Sequence, residues 1–440
     1  MDWATTSCDC SKLTSACNWE IWEVRVPPAL RFPATMPVTN AIMTAATRNL
    51  LSIFRWTVCA HILIARMNTF QASQMRIVSA MNSFKGSVDS LRATRAVADG
   101  LAEADIESVV YPLADGGDGT LAVAKFLRGG ELIDVEVSDP FGKTIKTSYL
   151  RQGDTAIIES ARASGIALLG RRKLNPLKAS SIGTGQLIAH AAMGRAKRIV
   201  LGLGGSATND GGLGLLVGAG AKVTGTKEYG GEGLFHVKEI DLSPALETLK
   251  GAELVVASDV VNLLLGKYGA TATYGPQKGV TREMMPKLRK AMTHWCAILG
   301  RASGRAIGQE QGSGAAGGMG AAAIALGGKV RLGAEMILEL GDFRSRTVEC
   351  FGLITGEGRM DGQTRFGKAP LVVARAFKEI GGEVAVGLTG SLGEGYEKLR
   401  PPIDAFFSIS RGPMSLQESM SKGQLLLRQA GREIGNLLRH

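Results

Sequence analysis

From residue 75 onward the chain repeats one pattern. A short apolar run leads into a polar loop containing glycine, and a segment with apolar residues three and four positions apart follows. Residues 76–80 read as a strand, 81–86 (MNSFKG) as its loop, and 87–102 as a helix through Val88, Leu91, Ala96, Val97 and Leu101. A second strand at 108–113 runs into 114–120 (ADGGDGT) and another helix. Two strand–loop–helix units in succession predict a parallel, doubly wound layer. The rhythm breaks at 131–137, 144–150 and 155–160, which alternate in part and carry a DPFG turn at 139–142. A second, inserted domain is therefore expected from residue 137.

Further on, a helix is expected at 185–193, and Ile199–Val200–Leu201 reads as a strand covered on both faces. A strand at 253–257 and helices at 281–299 and 321–326 follow. The strand–helix rhythm then resumes, with strands at 351–355, 383–389 and 404–409 and a helix at 370–380 with Pro370 in its first turn. A helix over 415–438, opened by a capping box of Ser415 and Glu418, closes the chain. The expected architecture is α/β, one parallel layer built from 75–136 and 335–440 and an inserted α/β domain spanning 137–334.

Residues 1–74 break this picture. They hold four of six cysteines and four of five tryptophans, and no Asp or Glu occurs from Val24 to Val88. The apolar stretch 41–65 with Arg48 and Arg55 fits a basic amphipathic helix, as in organelle transit peptides. Residues 51–65 are too short to span a bilayer and are interrupted by Arg55 and His61. The segment reads either as such a leader or as sequence upstream of a true start at Met75, and poor order is expected of it. A cytoplasmic location is the first expectation. Cys296 and Cys350, the only later cysteines, suggest no disulfide framework.

Composition narrows the function classes. The 58 glycines in 440 residues are nearly twice the usual share and cluster in short polar loops, as in enzymes with backbone-lined ligand loops. A net charge of +11 does not point to nucleic acid, because the basic residues are scattered and aromatics make up 5% of the chain. An anionic small molecule accounts for the balance equally well.

Four loops carry the candidate chemistry. In 201–214 (LGLGGSATNDGGLG), Ser206, Thr208, Asn209 and Asp210 sit among six glycines at the exit of a strand, where open α/β sheets bind ligands. A phosphate or substrate cradle is the reading. In ADGGDGT, Asp115 and Asp118 can face one ligand such as Mg²⁺, and a helix N-cap is the structural alternative. Lys85 can meet a phosphate or carboxylate, or be a solvated surface lysine. Asp259 and Asn262 follow the strand at 253–257, Gln277 and Lys278 lie in YGPQKG, and Glu357, Arg359, Asp361 and Gln363 cluster after the strand at 351–355.

Familiar motifs fail in context. The G-x-G-x-x-G at 312–317 has no strand before it, so the dinucleotide reading is rejected. Residues 362–369 match a P-loop except at Ala369, where Ser or Thr would meet Mg²⁺, although phosphate contact by Lys368 stays open. No G-x-S-x-G elbow or zinc spacing occurs. Acidic glycine loops interspersed with Lys and Arg suit phosphoryl transfer, where positioning and charge neutralisation do most of the catalysis.

From about Met75 to the C-terminus the chain resembles the bacterial-type glycerate kinases. The resemblance rests on SFKGS at 83–87, ADGGDGT, NPL at 175–177, GTGQLI at 183–188, GGSATNDGG at 204–212 and YGPQKG at 274–279. GAAGGMGA at 314–321, TGEGRMDGQT with GKAP at 355–370, LTGSLG at 388–393 and GPMSL at 412–416 follow in order. It implies an ATP- and Mg²⁺-dependent kinase acting on a hydroxyl of D-glycerate. It also implies a Rossmann-like domain, an inserted domain and an active site in the cleft between them. On that basis Asp210 is expected to accept the hydroxyl proton and Asp115 or Asp118 to lie near Mg²⁺. Lys85, Lys278 and Arg359 would neutralise phosphate or the glycerate carboxylate, Ser206 and Thr208 would donate hydrogen bonds, and Ser83 would take part in binding. The implied partners are glycerate and ATP, with no nucleic acid and no membrane, and a homodimer is compatible. Two departures stand out. Met81–Asn82 replaces the family's Pro–Asp before SFKG, and SDVVNLLLG at 258–266 replaces CDVDNPLLG. A kinase of a different hydroxy acid, or a silent ligand-binding member, is the rival reading.

Overall fold

The computed structural model describes residues 75–439 except 171, 172, 363, 365 and 366. The expected order and basic helix of the N-terminal extension lie outside the described residues. The strands in the first half are β1 (Arg76–Met81), β2 (Glu107–Val110), β3 (Glu131–Ser138), β4 (Thr144–Gln152), β5 (Thr155–Glu159), β6 (Arg198–Gly202), β7 (Lys222–Thr224) and β8 (Glu239–Asp241). The remainder are β9 (Glu253–Ala257), β10 (Lys329–Arg331), β11 (Gly352–Gly356), β12 (Arg359–Met360), β13 (Val384–Thr389), β14 (Ser391–Leu392) and β15 (Ala405–Ser408).

They form two main sheets in an α/β fold. One is wholly parallel with the order β15-β13-β11-β1-β2, and the other runs β10-β9-β6-β5-β4-β3. The second sheet is parallel from β10 to β5 and antiparallel through β4 and β3. β3 begins at Glu131, so strand pairing of the second sheet starts ahead of the expected break at 137. β12–β14 and β7–β8 are short separate pairs.

Side-chain alternation sorts the second sheet's apolar residues into two cores. Ile158, Leu201 and Val256 join the helices Ile182–Met193, Met284–Ser303 and Met319–Ala325. Ile157, Val200 and Val255 pack instead with Val78, Leu353 and Ala385 of the first sheet, through the helices Thr120–Arg128, Gly333–Leu340 and Ala369–Glu379. That shared core places the carboxyl ends of both sheets beside each other. Within it Tyr111 donates from its hydroxyl to the Ile337 carbonyl at 3.0 Å and meets Phe343 edge-on.

The closing helix differs from the expectation. It is two helices, Leu416–Ser421 and Gly423–Arg439, because the 83–87 loop enters between them. Ser87 Oγ donates to the Met420 carbonyl, and the side-chain-free Gly423 makes room for it. The cap is half a capping box: Ser415 Oγ accepts the Glu418 amide, while the Glu418 carboxylate pairs with Lys422. No described helix is long and apolar enough to cross a membrane.

Candidate active site

In the first sheet β1 connects to β2 on one side and lies against β11 on the other, and at such a switch point the loops diverge to leave a crevice. Met81 pairs with Gly356, so the loops after β1 and β11 start side by side, and the Asn82 amide donates to the Gly356 carbonyl. In the second sheet Gly202 pairs with Ala257, which aligns the loops after β6 and β9 in the same way. Glycines of the 114–120 loop, which follows β2 and is tied to the end of β1 through Leu113 and Asp115, bring the loops of the two sheets together. A Cβ on Gly116 would strike the Ala257 carbonyl, and one on Gly204 would strike Gly117 Cα. Gly116 also has φ +89°, a conformation glycine adopts without strain.

Across this seam stands a cluster of charges. Asn82 Nδ2 donates to Asp115 Oδ2 at 3.4 Å, and Asn82 Oδ1 accepts from the Ser83 amide at 2.8 Å and from Ser90 Oγ at 3.4 Å. Asp259 is pushed up to about 6 by burial first and by the Asp115 charge second, with Lys85 and Lys368 opposing. Glu357 is raised chiefly by burial, against the nearby Lys368 and Thr364. Lys368 Nζ donates to Glu357 Oε1 at 3.2 Å, and Thr364 Oγ1 donates to the same oxygen at 3.1 Å. Thr389 Oγ1 holds the Glu357 carbonyl at 2.7 Å. Lys85 is exposed and makes no ion pair among the described residues. Lys368 caps the 11-residue helix Ala369–Glu379, whose first turn has no side-chain cap. Residues expected from four separate loops, Lys85, Asp115, Asp259 and Glu357 with Lys368, are thus brought together.

The cradle loop behaves differently from the expectation. Asp210, expected as the base, is 0% exposed, and its carboxylate accepts from Ser181 N (2.8 Å), Ser181 Oγ (2.7 Å), Gly212 N (3.1 Å) and Gly214 N (3.3 Å). Four donors from its own surroundings and full burial make it a structural tie, and a solvent-borne hydroxyl does not reach it. Lys278 is 2% exposed and donates to Ser206 Oγ at 2.8 Å and the Thr208 carbonyl at 2.7 Å. Burial brings its ammonium down to about 7, with Asp210 opposing. Lys278 therefore pins the turn and presents no free charge to phosphate. Thr208 and Asn209 are fully buried, and Asn209 Nδ2 donates to Thr271 Oγ1 at 3.2 Å.

The remaining candidates are scattered. Asn262 bridges the Tyr268 carbonyl and the Tyr274 hydroxyl, Gln277 is exposed, and exposed Arg359 pairs with Asp361 at 3.1 Å. Gln363 lies outside the described residues. Asp115 turns toward Asn82, whereas the Asp118 carboxylate lies against Gly205. No described group of three or more His, Cys, Asp or Glu is placed to hold a metal. Asp115 and Asp118 do not cap the following helix with their side chains: its N-cap is Gly119, and Glu159 Oε1 accepts the Leu121 amide at 2.7 Å from across the seam. Glu159 was missed, a lone acid at the end of the apolar strand β5 with no local motif. The 312–320 turn is a packing joint, with Gly314 against Leu263, Gly317 against Thr208 and Gly318 against Gly211.

Comparison with known proteins gives the family. The family model described as the Glycerate kinase family matches residues 77–439. A glycerate kinase of Halalkalibacterium halodurans is 42% identical over 81% of this chain and 97% of its own length. The glycerate 2-kinase of Escherichia coli is 36% identical over 83% of this chain and 98% of its own. A crystal structure from Salmonella typhimurium LT2, described as a glycerate kinase 2, aligns with TM-score 0.70 and 36% identity over 82% of this chain and 97% of that one. The chain, an enzyme of the kinase class, belongs to the glycerate kinase family.

Proposed function

We propose that this chain transfers the terminal phosphoryl group of ATP to a hydroxyl of D-glycerate, forming phosphoglycerate and ADP. The observation that carries the reading is the meeting of Lys85, Asp115, Asp259, Glu357 and Lys368 at the carboxyl ends of both sheets. Asp259 takes the hydroxyl proton. A value of about 6 leaves it ionised at neutral pH and basic enough to accept a proton in the transition state. Lys85 and Lys368 balance charge on the phosphates. The charge of Lys85, left unpaired among the described residues, also suits the carboxylate of glycerate.

The donor set fits Mg²⁺. The Asp115 charge adds to the cost of ionising Asp259, a cost that a hard dication relieves. Asp115, with Asp118 on the same loop, would hold the ion, which supplies charge neutralisation to the phosphates. Two domains, 75–136 with 335–440 and 137–334, and a cytoplasmic location belong to the same proposal. The separate strand sets of the two sheets support a division in two, with the whole of β3 (Glu131–Ser138) falling to the second sheet.

The test is ADP release by the full chain with MgATP, with and without D-glycerate, followed by ³¹P NMR of the product. Glycerate-dependent ADP and a phosphoglycerate resonance are expected. Turnover with another hydroxy acid but not with glycerate would overturn the substrate, and a folded chain that binds ADP but turns over neither would overturn the catalytic reading.

A further inference from the structure

Beside the end of β9 lies an open cavity of about 670 Å³, within the range of small-molecule sites and far larger than a three-carbon acid needs. Ser258 and Val260 line it while Asp259 between them does not, so it flanks the charged cluster on the other side of the same strand end. Its chemistry is the opposite of the cluster's. The three cations on its wall are already neutralised: Arg305 by Glu310 at 3.1 Å, Lys329 by Glu253 at 3.1 Å and Arg331 by Glu339 at 2.6 Å. What remains for a ligand is apolar surface from Val260, Val261, Val330 and Leu332, together with the side-chain carboxamides of Gln309 and Gln311, which bond to no described residue. Val261 is 50% exposed, an apolar side chain with nothing packed over it. Such a wall suits an uncharged flat heterocycle and not an anion.

The cavity also has a direction. Leu332 forms its inner edge, and a Cβ on Gly367 would lie 3.0 Å from the Leu332 side chain. Lys368 is the next residue. A single leucine therefore separates a neutral, half-apolar pocket from the lysine where the phosphates are placed. A molecule neutral and aromatic at one end and polyanionic at the other matches both halves. We propose that this cavity binds the purine nucleoside of the phosphoryl donor, its base against Val260 and Val261 and its phosphate chain passing Leu332 to Lys368. The inference rests on the kinase reading and deepens it, since it leaves the cluster side free for the acceptor.

The test is direct binding of MgADP and of inorganic tripolyphosphate to the full chain by calorimetry. Val261→Trp fills the cavity from an exposed position. It is expected to weaken ADP binding on the order of tenfold, or about 1.4 kcal/mol. Tripolyphosphate binding and the KM for D-glycerate should stay within about twofold of the parent values. Gln311→Ala, also at an exposed site, is expected to weaken ADP about threefold and serves if the tryptophan variant fails to fold. Unchanged ADP affinity in both variants, or a rise in the glycerate KM alone, would overturn the assignment. Wild-type chain that binds ADP in a Val261-dependent way yet turns over no glycerate would overturn the acceptor and leave the cavity assignment standing.

Discussion

At Asp259 burial and the Asp115 charge act against ionisation, so the folded chain binds this proton more tightly than the unfolded chain does. The sign follows from linkage. Between the ordinary value of 3.8 and the folded value of about 6, the unfolded state carries fewer protons, so stability falls as pH rises through this window. The penalty is complete above about 6 and reaches at most about 3 kcal/mol. Asp259→Asn, measured without metal or nucleotide, is therefore expected to raise Tm at pH 7.5, and the gain should fade as pH drops toward 4. The same variant should lose about 100-fold or more in kcat. Lys278 has the opposite slope. Its ammonium is held at about 7 against an ordinary 10.5, so stability rises with pH above 7, and Lys278→Met should flatten that rise in thermal melts at pH 7 and 9. Asp210→Ala strips the partner from buried donors and should cost about 3 kcal/mol in denaturant unfolding. A loss of kcat at unchanged stability would instead restore it as the base.

Elements were the most legible part of the sequence. The apolar runs at 76–80, 199–201 and 253–257 announced β1, β6 and β9, because a strand covered on both faces has no polar face to disguise it. The break at Lys422 was not legible, since an amphipathic pattern runs across it and only the distant Ser87 interrupts the helix. The site divided in the same way. Glycine loops with Asp, Glu and Lys marked the right segments, but burial decides which acid is free, and Asp210 and Asp259 look alike in sequence. The 312–320 turn shows why glycine counts mislead: its glycines serve backbone contact. Gly317→Ala would combine φ +75° with a Cβ against the Thr208 carbonyl, and should destabilise by about 2 kcal/mol or more. Gly251→Ala, at φ +85° in open space, should cost about 1 kcal/mol, and paired denaturant melts compare the two.

On the scale of the whole molecule, the pairing of Ile77 with Gly352 at the centre of the first sheet has a temporal consequence. During synthesis at about 5–20 residues per second, β1 waits roughly a quarter of a minute to a minute for β11 to be made. The second sheet has all its strands by Arg331, and the helices Thr120–Arg128 and Gly333–Leu340 already cover part of its inner face. A ribosome-released chain ending at residue 345 is expected to yield a protease-resistant core near 120–340, with 75–110 digested. Equal resistance of both parts would contradict this order. The charged cluster draws Asp259 from the early half and Glu357 from the late one, so the nascent chain holds no complete active site until nearly all of it has been translated.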